Sequence, residues 1–154
     1  MADHTSSTPS IIPGAEPLSH VAGSTTGVLV LHGFTGNPSS VRILAEAAIA
    51  EGYDVEMPRL PGHGTTVDDM MTTGWDDWFG AALQAFDALA DRCERVVVAG
   101  LSMGGLLTLS VGGARSAAGL ICVNPVARMR SPEEVEMVEE LIADGMEILP
   151  GVGS

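Results

Sequence analysis

Along this chain, short unbroken apolar runs trade places with longer stretches in which apolar residues return every three or four positions. The first run, within "GVLVLHG", makes 27–32 a strand of the kind covered on both faces. Asn37 and Pro38 then open a helix, the Asn as a side-chain cap and the Pro where a missing N–H is no loss. Val41, Leu44, Ala45, Ala48 and Ile49 follow at i, i+3, i+4, i+7 and i+8, and Gly52 stands where a left-handed C-terminal cap belongs. "YDVEMP" predicts a second strand, ended by Pro58. Past the loop "RLPGHGTT", Trp75, Trp78, Phe79, Ala82, Leu83, Phe86 and Leu89 predict one long amphipathic helix with acids at its N-terminal turn. Both tryptophans are expected in the core. "RVVVAGL" predicts a third strand, 103–115 a helix and "AGLICVNP" a fourth strand. "SPEE" opens a last helix, with Ser131 as N-cap, Pro132 at the first position and Glu134 closing a capping box, running to about Ala143. Before all this, 1–26 is rich in Ser, Thr, Pro and Gly, which predicts a loose arm over about the first dozen residues and allows a short strand at 17–21.

Strands alternating with helices imply right-handed βαβ crossovers, hence a three-layer α/β sandwich on a mainly parallel sheet. At 154 residues the chain has the length of one domain, and an aromatic content of 4% requires an aliphatic core. A formal charge of −13 with seven Lys and Arg speaks against nucleic acid as a partner, since phosphate binding rests on clustered cations. The acidic run "SPEEVEMVEELIAD" reads as a solvated helix face. Cys93 and Cys122 are isolated, without the spacing of a metal or redox motif, and are expected as buried, reduced thiols. No apolar run approaches the roughly 20 residues of a transmembrane helix, and the N-terminus lacks signal-peptide features, so a cytoplasmic protein is expected.

One junction carries chemistry. "VVVAGLSMGGLL" (96–107) takes a strand into a helix through Gly100, Leu101, Ser102, Met103 and Gly104, the spacing G-x-S-x-G. In a chain with 19 glycines that spacing alone is weak; the strand before it and the apolar helix after it give it meaning. A turn this sharp strains the serine backbone, and only the missing side chains of Gly100 and Gly104 avoid collision. It lifts the Ser102 hydroxyl clear at the C-terminal edge of the sheet, close to the positive end of the next helix. Attack on an ester carbonyl there creates an oxyanion, and removing one preorganised N–H donor typically costs about 3 kcal/mol. The Met103 N–H is one candidate donor. The second is the Phe34 N–H in "LHGFTG", the loop after an earlier strand, where Gly33 and Gly36 permit a tight turn. His32 reads as a structural histidine that fixes this loop.

Taken together, "GVLVLHGFTGNPSSVRILAEAAIAEGYDVEMPRLPGHGTT", "GLSMGG" and "NPVA" resemble the alpha/beta-hydrolase superfamily, and within it the bacterial carboxylesterases and monoacylglycerol lipases, over residues 14–154. The resemblance implies an alpha/beta-hydrolase fold, Ser102 as nucleophile and the Phe34 and Met103 amides as oxyanion hole. It implies a small-molecule ester as substrate, with no cofactor and no metal. It divides the chain into a flexible arm (1–13), the N-terminal part of the hydrolase core (14–125) and the start of a cap insertion (126–154).

In that family the serine is activated by an acid and then a histidine further along the chain. Here no histidine follows His63, and neither His20, His32 and His63 nor Asp144 and the glutamates of 133–140 inherit those roles. The expectation is therefore the N-terminal part of a serine carboxylesterase acting on short or medium acyl esters or monoacylglycerols, inactive in this 154-residue form. Its sheet would be incomplete at the C-terminal end, with "AGLICVNP" an unpaired apolar edge. Met57, Met70, Met71 and Met103 lie on loops or element ends from which an acyl pocket is within reach, although ordinary packing is the more frequent role of such residues. The alternative is a catalytically inactive hydrolase-like module that binds a small ligand or a protein; thioesterase and peptidase chemistry share the same acyl intermediate.

Overall fold

The first long apolar run becomes the centre of a five-stranded sheet. A computed structural model describes residues 9–126 and 131–145. In chain order its elements are β1 (Leu18–His20), β2 (Thr26–Leu31), a 3₁₀ turn (Pro38–Val41), α1 (Arg42–Ala50), β3 (Asp54–Met57), α2 (Val67–Met71), α3 (Trp75–Ala90), β4 (Arg95–Leu101), α4 (Met103–Ala114), β5 (Gly119–Val123) and α5 (Pro132–Ala143). The strands pair in the order β1-β3-β2-β4-β5. β2 is parallel to β3 and to β4, β4 is parallel to β5, and only β1 runs antiparallel, against β3. The mainly parallel α/β architecture expected from the pattern is the one observed.

Alternate residues of each strand face opposite sides, and the two sides build two cores. Leu29 and Leu31 of β2 join Val96 and Val98 of β4 beneath α3 and α4, where Phe86, Leu89, Leu107 and Val111 complete the packing. Val30 turns the other way and meets Val41, Ala45, Val55 and Met57 beneath α1. Both cores are mainly aliphatic, with Phe86 buried in the first and Trp78 and Phe79 packed at its margin.

The helix starts follow local chemistry. Asn37 Oδ1 accepts the Ser39 N–H at 2.9 Å with Pro38 at the first position, so the predicted cap is present. The first turn is 3₁₀ rather than α, drawn tight by the Ser40 N–H and Ser40 Oγ, which both donate to the Asn37 carbonyl. Gly52 closes the segment at φ 82°, a left-handed position that suits glycine. The single-turn α2 is absent from the periodicity reading because five residues are too few to show one; Thr66 caps it by accepting the Asp69 N–H.

Two expectations need correction. Trp75 is a third exposed and stacks on Phe79 at 6.2 Å near the surface end of α3, so only Trp78 packs against the core. Cys93 is buried, but Cys122 is only half-buried, with its thiol directed at the Gly105 carbonyl.

β5 pairs with β4 along one edge and, among the described residues, with nothing along the other. Helix α1 covers only the β2 and β3 half of its sheet face. Beyond it a groove of about 410 Å³ opens, lined by Val28, Val30, Leu44, Val97, Ala99 and Ile121 among others. Leu120, Ile121 and Val123 of β5 are exposed apolar residues.

Candidate functional site

The C-terminal ends of the two central parallel strands, β2 and β4, bring the predicted loops together. Leu31 pairs with Gly100 in the register of the sheet, so the segments that follow, 32–36 and 102–105, lie side by side. Ser102 joins β4 to α4 at φ 56° and ψ −117°, a conformation that a residue with a side chain rarely adopts and that stores strain of order 1–3 kcal/mol. Its N–H donates to the Val123 carbonyl of β5 at 2.9 Å, and its own carbonyl accepts the Gly105 N–H at 2.9 Å to start the helix. The Ser102 hydroxyl makes no hydrogen bond among the described residues and is half-exposed.

The glycines around it are required by space. A Cβ on Gly104 would run into the Leu31 and His32 carbonyls at the end of β2, and one on Gly100 would run into the Gly104 carbonyl. Gly33 lies against the serine itself: a Cβ there would stand 3.3 Å from Ser102 Cβ and 3.8 Å from its Oγ. On Gly105 a Cβ would come within 2.9 Å of Pro125 Cβ, so that glycine also matters to the fit of the turn.

Two backbone N–H groups in these segments lack acceptors among the described residues. Met103 is the first residue of α4, and its N–H has no acceptor among the described residues, as expected of a helix start. The Phe34 N–H is likewise without an acceptor there. Its loop is pinned by the Gly36 N–H donating to the Gly33 carbonyl at 3.2 Å, and Thr35 adopts φ 58°, a strained value for a β-branched residue. That strain was not legible in the sequence.

His32 is fully buried and both ring nitrogens are occupied. Nδ1–H donates to the Gly33 carbonyl at 3.0 Å, and Nε2 accepts the Leu60 N–H at 3.0 Å, which ties 32–33 to the loop after β3. Burial, aided by the nearby His63 and Arg59, lowers its pKa to about 4 against the opposing Gly33 hydrogen bond. It is a neutral bracket with no lone pair to spare.

His63 is 1% exposed and lies at the centre of an aromatic group. Its ring meets His32 at 5.1 Å, Trp78 at 5.3 Å and Phe34 at 6.0 Å, and Phe34 meets Trp78 at 5.6 Å. Desolvation, with a contribution from Arg59, lowers its pKa despite the hydrogen bond from Nδ1–H to the Pro61 carbonyl. Trp78 was legible in the sequence only as a core residue, and the parts of Thr73 and Pro61 in this group were not legible at all.

The methionines divide. Met103 is buried beside Ser102, Met70 lines a cavity of about 250 Å³ between Thr35, His63 and α2, and Met71 is exposed. Met57 is fully buried beneath α1, on the opposite core, and cannot reach a pocket at Ser102. His20 lies on β1 at the far edge of the sheet. Among the described residues no three His, Cys, Asp or Glu side chains converge as a metal site, and no helix is long and apolar enough to cross a membrane. α5 begins at Pro132, next to the predicted cap residue Ser131, and the Glu134 side chain of the predicted capping box lies outside the described residues.

Residues 28–152 match the alpha/beta hydrolase family. The chain belongs to that family. Over 99 residues this alpha/beta hydrolase is 48% identical to the thermostable monoacylglycerol lipase of Bacillus sp. (strain H-257), a match covering 64% of this chain and 39% of the lipase. It is 35% identical over 91 residues to a carboxylesterase of Bacillus subtilis (strain 168), covering 58% of this chain and 37% of that one. A solved structure from work on the metagenome-derived lipolytic enzymes LipS and LipT superposes with a TM-score of 0.81 at 43% identity, over 94% of this chain and 59% of that one. The alpha/beta hydrolase chain thus spans about two fifths of the length of the two curated relatives.

Proposed function

We propose that this chain is the nucleophile-bearing N-terminal part of a serine carboxylesterase that cleaves short or medium acyl esters or monoacylglycerols through an acyl-Ser102 intermediate. The observation that carries the reading is the strained Ser102, its hydroxyl without a hydrogen bond among the described residues and set against Gly33. In this reading β4, Ser102 and α4 form the nucleophile elbow. The Phe34 and Met103 N–H groups, both without acceptors among the described residues, form the oxyanion hole. The reaction class is acyl transfer: Ser102 Oγ gives its proton to a base and adds to the ester carbonyl, the tetrahedral oxyanion accepts hydrogen bonds from the two N–H groups, the alcohol leaves with that proton, and water then hydrolyses the acyl-serine. The lipase and carboxylesterase names of the relatives support the ester as substrate class.

Proton transfer from Ser102 needs a base, and neither buried histidine of the site is placed to supply one. His32 has both nitrogens engaged, and His63 is enclosed by Phe34, Trp78 and His32. In the proposed enzyme the base and its acid partner come from polypeptide outside these 154 residues.

The test is hydrolysis of a p-nitrophenyl acyl ester by this chain, by a longer polypeptide that includes an acid and a late histidine, and by Ser102→Ala versions of both. The 154-residue chain is expected to turn over little or nothing. The longer one is expected near the usual order of 10 s⁻¹, falling at least a thousandfold with Ser102→Ala. Full activity of the Ser102→Ala form would overturn the reading, and ligand binding without turnover by the longer polypeptide would favour an inactive binding module.

A further inference from the structure

We infer that His63 is a positioning residue: with Trp78 it clamps the ring of Phe34 and so holds the Phe34 N–H where the proposed oxyanion would form. The inference rests on the reading of Phe34 as a donor, and it starts from a loop built to turn one ring inward. Gly62 and Gly64 flank His63 at φ 72° and 66°, and neither has room for a side chain. A Cβ on Gly62 would lie 2.7 Å from Met70 Cα, and one on Gly64 would lie 2.7 Å from Ala15 Cβ. Arg59 Nη1 grips the loop from outside by donating to the His63 carbonyl at 2.7 Å.

Inside, one carbonyl gathers the clamp. Pro61 O accepts His63 Nδ1–H at 3.0 Å and Trp78 Nε1–H at 3.1 Å, while the Thr73 hydroxyl beside them donates to the Met70 carbonyl at 2.9 Å. These bonds fix both rings in edge contact with each other, and each also touches Phe34. Phe34 needs such help, because it is 54% exposed and its position is not set by burial. Its neighbour Thr35 is held at a strained φ of 58°, a conformation that persists only where the surroundings over-determine it.

An imidazole comes at a cost here that an apolar ring would avoid. His63 Nε2 is buried without a hydrogen-bond partner among the described residues. What the histidine supplies in return is the Nδ1–H that reaches Pro61 while the ring edge still meets Phe34 and Trp78. Leucine at this position fills space but cannot donate.

The test is ¹⁵N relaxation of the Phe34 amide in this chain as it stands, in His63→Leu, in Phe34→Ala and in the double variant. Phe34→Ala retains the amide and removes a largely exposed ring, so the fold survives it. The order parameter is expected at the rigid-backbone value of about 0.85 in the parent and below about 0.6 in either single variant. The double variant is expected to lose nothing more, since both changes break the same clamp, while amides of β2 and β4 keep their values. An unchanged Phe34 amide in His63→Leu, or losses that add in the double variant, would overturn the inference. The second arm uses the longer polypeptide that supplies the acid and the base: Ser102-dependent binding of butylboronic acid to it is expected to weaken at least tenfold in His63→Leu. Boronate binding that ignores Ser102 would remove the esterase reading but leave the clamp standing on the relaxation data.

Discussion

The strain at Ser102 has a measurable consequence for stability. A side chain at φ 56° and ψ −117° costs about 1–3 kcal/mol, because Cβ crowds the adjoining backbone. Glycine accepts this conformation freely but brings extra freedom to the unfolded chain, at a cost of about 0.4–1 kcal/mol. The serine hydroxyl makes no hydrogen bond among the described residues, so removing it forfeits none. Ser102→Gly is therefore expected to be more stable than Ser102→Ala by about 1 kcal/mol, since alanine keeps the Cβ and with it the strain. For a chain of this size that difference raises Tm by roughly 2–4 °C. Urea unfolding followed by circular dichroism, with equal m values for both variants, gives the difference directly. A Ser102→Gly protein no more stable than Ser102→Ala would refute the argument that the turn holds Ser102 against its own preference. It would also remove the physical basis for the presentation of the hydroxyl.

Two further outcomes test the surroundings. Gly104→Ala drives a Cβ into two backbone carbonyls of β2 that cannot swing aside, and is expected to cost 2 kcal/mol or more, about the overpacking range. Gly113→Ala, on the same helix with nothing within 4 Å, is expected to gain about 0.5–1 kcal/mol; equal effects in urea unfolding would contradict the packing at the turn. For pH dependence, His32 binds its proton at about 4 when folded and near 6.5 when free, so the unfolded state takes up protons first as pH falls. Its contribution is fully present above pH 6.5 and is lost as pH drops toward 4, about 2 kcal/mol of it by pH 5. The lowered pKa of His63 acts in the same direction. Unfolding at pH 7 and pH 5, with an NMR titration of His32, checks this, and a flat stability profile would count against the buried neutral bracket.

The sequence is most legible where many residues repeat one message. The parallel strands read as apolar runs because both of their faces are meant to be covered, and α1 and α3 read clearly because several turns of periodicity accumulate. α2 was invisible for the opposite reason, being a single turn fixed by Thr66 and its neighbours. The tryptophans failed as a pair because period alone places both on one helix face, whereas exposure depends on where that face runs off the sheet. At the site, the glycines of "GLSMGG" announced their own crowding. The Pro61 carbonyl did not, since its donor from α3, Trp78, lies 17 residues away.

What the sequence determined by itself was local: strand, turn and helix at 95–114, and the need for glycine on both sides of Ser102. Those features depend on sterics within a few residues, so they hold in whatever fold the segment occupies. The tertiary structure alone decided that Gly33 rests on Ser102, that Phe34 is gripped by His63 and Trp78, and that Met57 lies in the wrong core. It also decided which sheet face α1 leaves open. Each of these joins segments tens of residues apart, and such contacts follow from the order in which β3, β2 and β4 pair, which no short stretch encodes.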